Sequence, residues 1–150
     1  MDSLYGFWER FKEAVQEPDA TYKSHFHFEL TEALAQSLLE LVLMGKKRAT
    51  ASSLYAFQIE NEPLPKKGDY YIVTDFHGNP RCVIRTTEVT VLPYDEMTYD
   101  LCKREGEDDS LESWQEGHRR FYQEEGRQLG YTFTEKMLIV FEDFEMVYRE

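Results

Sequence analysis

DYYIVTDFHGNPRCVIRTTEVTVL (69–92) reads as two strands joined by a tight turn. Residues 69–76 are β-branched and aromatic, HGNP at 77–80 is turn chemistry, and 81–92 is a second, longer strand, so the segment predicts a hairpin. Upstream, LPKKGD (64–69) gathers Pro, Gly and Asp into another turn, and RATASSLYAF (48–57) reads as a strand or extended segment. Downstream, KMLIVFEDFEMVY (136–148) supplies one or two more strands.

Helices flank this β-rich centre. Leu4, Phe7, Trp8, Phe11 and Val15 recur at helical spacing, and Pro18 ends that helix. Thr31 is placed to cap a second helix running to Met44, with Gly45 as its stop, Leu34, Leu38, Leu41 and Val42 as its inner face, and Leu39 and Leu43 widening it. A third spans about Ser110 to Gly126. Asp109 and Glu112 have the spacing of a capping box there, and Leu111, Trp114, His118 and Phe121 share one face. Hairpin-linked strands with few crossover helices predict an α+β fold built on a small, mostly antiparallel β-barrel with flanking helices. Residues 1–25 form an N-terminal helix and connector packed on the domain, which occupies 26–150.

The chain has 150 residues, enough for one domain, and a formal net charge of −12. Residues 1–86 are nearly balanced, whereas residues 87–150 carry 7 basic and 17 acidic side chains. Duplex DNA is not expected as a partner, because duplex binding relies on Lys and Arg neutralising phosphates. Residues 45–86 hold seven basic and four acidic groups, so the positive region lies mid-chain. Two cysteines, Cys82 and Cys102, make no disulfide framework, and Cys82 reads as a small apolar strand residue. The amphipathic, charged start MDSLYGFWERFKEAV does not read as a signal peptide, and no run approaches the roughly 18 apolar residues a membrane span needs. A soluble, cytoplasmic protein without membrane contact is expected. Its 22 aromatic residues argue against disorder.

The most distinctive string is GKKRATAS (45–52), directly after the second helix. Residues three apart in one regular strand point to opposite faces, so Lys47 and Thr50 meet only if Lys47 lies in the turn. An amine would then stand beside a hydroxyl at the mouth of a sheet. The same string also reads as cations complementing a helix C-terminus, followed by an ordinary strand. In EGEDDSLESW (105–114) five carboxylates fall within eight residues, but without the spacing of a calcium loop. Glu107, Asp108 and Asp109 read as a solvated loop, and His118 as a hydrogen-bonded core residue. His25, His27, His77 and His118 form no zinc pattern, so neither a metal nor another cofactor is called for.

Together, the leucine-rich helix ending in GKKRATAS, the LPKKGD turn, CVIRTTEVTVLPYDEM and EGEDDSLESWQEGHRRFY resemble the ASCH domain family, within the PUA-like superfamily. The likeness covers roughly residues 26–148 and is strongest to the longer subgroup. It implies a small β-barrel with flanking helices. Some short relatives hydrolyse the amide of N4-acylated cytidine with a Lys, a Thr and a Glu, which fall here on Lys47, Thr50 and Glu105. By that likeness Thr50 is the nucleophile, Lys47 the base that activates it, and Glu105 orients the amine or relays a proton. Lys47 must then shed its proton, which burial or cationic neighbours favour. Lys46, Arg48, Ser52 and Tyr55 are expected around a nucleoside or single-stranded RNA base, with Tyr70 or Tyr71 for stacking. Ser52 stands where short relatives carry an Arg, so the substrate need not be the same. The alternative is a domain that binds or cleaves single-stranded RNA without amidase activity.

Overall fold

The computed structural model describes residues 3–29 and 31–150. Its helices are α1 (Leu4–Val15), α2 (Glu32–Leu43), α3 (Leu54–Ile59), α4 (Tyr99–Cys102) and α5 (Leu111–Leu129). Its strands are β1 (Ser24–Phe26), β2 (Ala49–Ser53), β3 (Tyr70–Thr74), β4 (Pro80–Pro93) and β5 (Leu138–Arg149). One sheet orders them β1-β3-β4-β5-β2, antiparallel except for the β1–β3 pair. It curls into a half-barrel. The predicted hairpin is the β3–β4 pair at the sheet's centre. The 136–148 segment is a single long strand whose register against β4 shifts near Val83 and Thr86. Such bulges let a long strand bend around a curved core.

The hairpin reads as nearly unbroken apolar sequence because both sheet faces are covered. Ile72 and Val83 pack against Phe7, Trp8 and Phe11 of α1. Val73, Cys82 and Ile84 face the other way, toward Leu39 and Val42 of α2. Alternation by side holds within each strand, but neither side is polar. Both cysteines are buried, and burial pushes the Cys82 thiol up to about 12 and Cys102 to about 11. Beneath α5 lies a third cluster built on Tyr94, Trp114, Tyr122 and Phe141.

Local signals set the helix ends. Ser3 and Thr31 cap α1 and α2 through their side-chain oxygens. For α5 the cap is Ser110, whose hydroxyl accepts from Ser113 N, and not Asp109. The α2 face is narrower than the expected one: Ala35, Leu39 and Val42 are buried, Leu38, Leu41 and Leu43 are partly buried, and Leu34 is half exposed. RATASSLYAF divides at Ser53, which closes β2 and caps α3.

Candidate active site

Lys47 is a buried lysine, and the chain leading to it explains why. At the end of α2, Gly45 adopts φ +79°, a conformation open to glycine, and the amides of Lys46 and Lys47 both donate to Leu41 O. The reversal leaves Lys46 outside and drops Lys47 inward, so Lys47 does lie in the turn before β2. Its Nζ donates to Ala49 O at 2.8 Å and Glu107 Oε2 at 2.7 Å, and meets Glu105 Oε1 at 3.4 Å. The Phe28 ring lies 5.4 Å from the ammonium.

Glu105 arrives from a 3₁₀ turn, Lys103–Glu105, held from both sides. Arg48 N donates to Arg104 O at 2.9 Å, and the Arg104 guanidinium reaches both carboxylate oxygens of Asp143 on β5 at 3.1 Å. The next residue, Gly106, has φ +74°, and a Cβ added there would lie 2.4 Å from Lys46 O. This glycine lets the two loops bearing Lys47 and Glu105 touch backbone to backbone. Gly106→Ala should lower stability by about 1–3 kcal/mol, read as a lower urea midpoint; a wild-type midpoint would mean that the loops part without cost.

The far side of Glu105 faces α5. Trp114 Nε1 donates to Glu105 Oε2, and His118 Nε2 lies 3.4 Å from Oε1. His118 stacks on the Trp114 ring, with centroids 4.1 Å apart, and its Nδ1 lies 2.9 Å from Trp114 O. A ring nitrogen facing a carbonyl must carry a proton, and one facing a carboxylate is favoured to carry another. The imidazolium form therefore suits both contacts.

Charge in this cluster follows from competition between burial and pairing. Burial opposes the ammonium of Lys47, but Glu105 and Glu107 outweigh it and raise its pKa above the ordinary lysine value. Burial likewise opposes the Glu105 carboxylate, yet Lys47 and His118 hold it at about 2. Burial pushes Glu107 up, only partly offset by Lys47. For His118 burial is again outweighed, by Glu105, and the pKa rises. These contacts favour the charged form of Lys47 over the neutral one its expected role as base requires. Its cationic sequence neighbours do not help, because Lys46 and Arg48 are exposed while the carboxylates are in contact.

A cavity of about 670 Å³ opens beside this cluster, and Lys47, Thr50, Glu105, Glu107 and His118 all line it. Ser52 and Tyr71 line it too, whereas Lys46, Arg48 and Tyr55 lie outside its wall. Tyr55 is exposed and stacks on Tyr131, and Tyr70 packs on Trp8 and Phe11. No hydrogen bond among the described residues joins Lys47 to Thr50. The wall is not cationic either. Eight carboxylates, among them Glu62, Glu105, Glu107 and Glu142, face it against Lys23 and Lys47. The positive charge of segment 45–86 is largely on the outside. Glu107 is half-hidden and ion-paired, not a solvated loop residue, and His118 belongs to the site. The i,i+4 spacing of Trp114 and His118 was the only sequence signal for that pairing.

A helix-flanked half-barrel with a buried lysine–carboxylate–histidine cluster on its cavity wall is a PUA-like architecture, of a kind generally linked to RNA binding. The chain belongs to the ASCH domain family, whose model matches residues 24–148. It is similar to an ASCH domain from Lactobacillus crispatus JV V101 solved by crystallography, with 35% identity and a TM-score of 0.88, over 97% of this chain and 94% of that one. A crystal structure of a protein from Enterococcus faecalis V583 gives 34% identity and a TM-score of 0.89, over 96% of this chain and 87% of that one. A hypothetical protein at 19% identity and a TM-score of 0.53, over 83% of this chain and 98% of that one, shares the fold alone. No curated protein matches. Among the described residues no helix is long and apolar enough to cross a membrane.

Proposed function

We propose that the cavity takes a nucleoside, or one exposed base of single-stranded RNA, and hydrolyses the amide of N4-acylated cytidine. The observation that carries this reading is that Lys47, Thr50 and Glu105, the residues on which the family's Lys–Thr–Glu pattern falls, line one cavity. Its volume of about 670 Å³ is in the range of small-molecule sites. Phe28, Phe57, Tyr71 and Phe121 offer ring faces and edges to a base. Gly117 supports the same view. Glycine inside a helix costs roughly 0.5–1 kcal/mol relative to Ala, yet nothing lies within 4 Å of a Cβ placed there, and the space it leaves belongs to the cavity.

On this reading Thr50 is the nucleophile, Lys47 the base that activates it, and Glu105 the group that orients the amine or relays a proton. Glu105 anchors Lys47 and is itself anchored by Trp114 and His118. The acidic wall disfavours phosphates, so a neutral base or nucleoside fits better than a length of RNA backbone. Incubation with N4-acetylcytidine should release cytidine and acetate, and Thr50→Ala should cut the rate at least about 100-fold. A wild-type protein that leaves the amide intact, yet binds single-stranded RNA in a salt-dependent way weakened by charge removal at Lys46 or Arg48, would favour the RNA-binding alternative instead.

A further inference from the structure

β2 is an edge strand. The sheet runs β1-β3-β4-β5-β2, so β5 covers one side of β2 and, among the described residues, no strand pairs with the other. The register decides which backbone groups face which way. Thr50 pairs with Glu142, and Arg48 O accepts from Phe144 N at 3.0 Å, so residues 48, 50 and 52 turn their amides and carbonyls toward β5. Successive residues alternate along such a ladder, which leaves the groups of Ala49 and Ala51 on the open side. Their hydrogen bonds agree with that parity. Lys47 Nζ donates to Ala49 O at 2.8 Å, and the Tyr122 hydroxyl, from α5, donates to Ala51 O at 3.1 Å. Between those two anchored carbonyls the chain presents one more polar group on that side, the Ala51 N–H. Thr50 is therefore flanked by the carbonyl that holds Lys47 and by the amide of Ala51. Lys47, Thr50 and Ala51 all line the cavity.

We propose that the Ala51 N–H is the oxyanion donor of this site, an assignment that rests on the amidase reading. As the Thr50 oxygen bonds to the amide carbonyl carbon, its proton passes to the neutral amine of Lys47. The carbonyl π pair moves onto oxygen, and the Ala51 N–H donates to the oxyanion so formed. Collapse re-forms the C=O bond and breaks the bond between that carbon and N4. Lys47 returns the proton to N4, and cytidine leaves. Water then attacks the acyl-Thr50 ester while giving a proton to Lys47, and the oxyanion forms again against the same N–H. When the ester C–O bond breaks, the Thr50 oxygen takes that proton and acetic acid leaves. A backbone donor suits this task because it is fixed before the charge appears and needs no reorganisation as the reaction proceeds. Here β5 holds Thr50 on one side, while Lys47 and Tyr122 hold the neighbouring carbonyls on the other.

The test removes that one hydrogen. Ala51→Pro deletes the N–H at a position where the ladder to β5 does not use it, and an outward-facing position on an edge strand is where a sheet tolerates proline. Replacing Ala51 by lactic acid instead exchanges the N–H for an ester oxygen and keeps the methyl side chain. With N4-acetylcytidine both proteins should lose at least about 100-fold in kcat, the usual effect of removing one oxyanion donor, while binding by calorimetry stays within about threefold. Ala51→Ser, which keeps the N–H, should retain at least about tenfold more kcat than Ala51→Pro. A lactic-acid protein with kcat within about threefold of wild type overturns the assignment and leaves the amidase reading standing, as does a loss carried by binding alone. If Ala51→Pro does not fold, the lactic-acid protein decides by the same criteria. An inactive wild type would end the amidase reading and this assignment with it.

Discussion

Replacing Lys47 by methionine should destabilise the protein by about 3–5 kcal/mol at neutral pH, the usual result of removing one partner from a buried ion pair. The side chain is almost fully enclosed, and its hydrogen-bonding partners are Ala49 O, Glu105 and Glu107. Without the ammonium, two carboxylates would share a poorly hydrated space with only His118 and Trp114 beside them. Adding Glu107→Leu should restore part of the loss, since replacing both partners with apolar groups is far less costly than orphaning one. Urea unfolding of the three proteins measures this. A wild-type midpoint for Lys47→Met would show that the cluster contributes little to folding.

The same cluster sets a pH signature. The Glu105 pKa falls from 4.5 to about 2 on folding, so its contribution is full above the unfolded value and is lost as pH drops toward the folded one. A shift of that size corresponds to about 3 kcal/mol. The His118 pKa moves upward from 6.5, so its contribution is present below that value and is lost as pH rises through the folded one. Wild-type stability should decline on acidification between about pH 4.5 and 2, and Lys47→Met should show a shallower decline because the chief cause of the Glu105 shift is gone. Equal slopes for the two proteins would sink this account.

Trp114→Ala should cost a similar amount, about 3–5 kcal/mol, for a different reason. The side chain is fully buried and sandwiched between Tyr94, at 5.6 Å between centroids, and His118, at 4.1 Å. Its indole N–H also anchors Glu105. Trp114→Phe separates the two contributions. It keeps most of the packing and removes the donor to an ionised acceptor, an interaction worth about 1.5–3 kcal/mol. Phenylalanine should therefore fall between wild type and alanine in a denaturant titration. Phenylalanine behaving like wild type would mean that Trp114 serves Glu105 only as a wall.

The outer frame was legible in local sequence because local chemistry dictates it. The hairpin at 69–92 carries its own turn, Thr31 caps α2, and Gly45 ends it, each within a few residues of its partner. The Ser110 cap was missed in favour of Asp109 because adjacent polar residues offer the same oxygen at nearly the same spacing. The α2 face is read too broadly from sequence because six of its twelve residues are leucines or valine, so periodicity does not single out one stripe. Tyr55 was drawn toward the site by its chemistry, but Ser53 starts a helix that carries it away to Tyr131.

By itself the sequence determined the α+β class, the central hairpin and the family pattern, which falls on Lys47, Thr50 and Glu105, since motif order and period are written along the chain. Tertiary structure alone decided what those residues are. The protonation of Lys47 depends on Glu105 and Glu107, some sixty positions away, brought within 3.4 and 2.7 Å by a loop contact that only Gly106 permits. The recruitment of His118 depends on α5 lying over the 3₁₀ turn, and the pairing of Thr50 with Glu142 depends on the register of β2 against β5. Charge at a buried group is a sum over neighbours in space, and those neighbours are set by how the chain closes on itself.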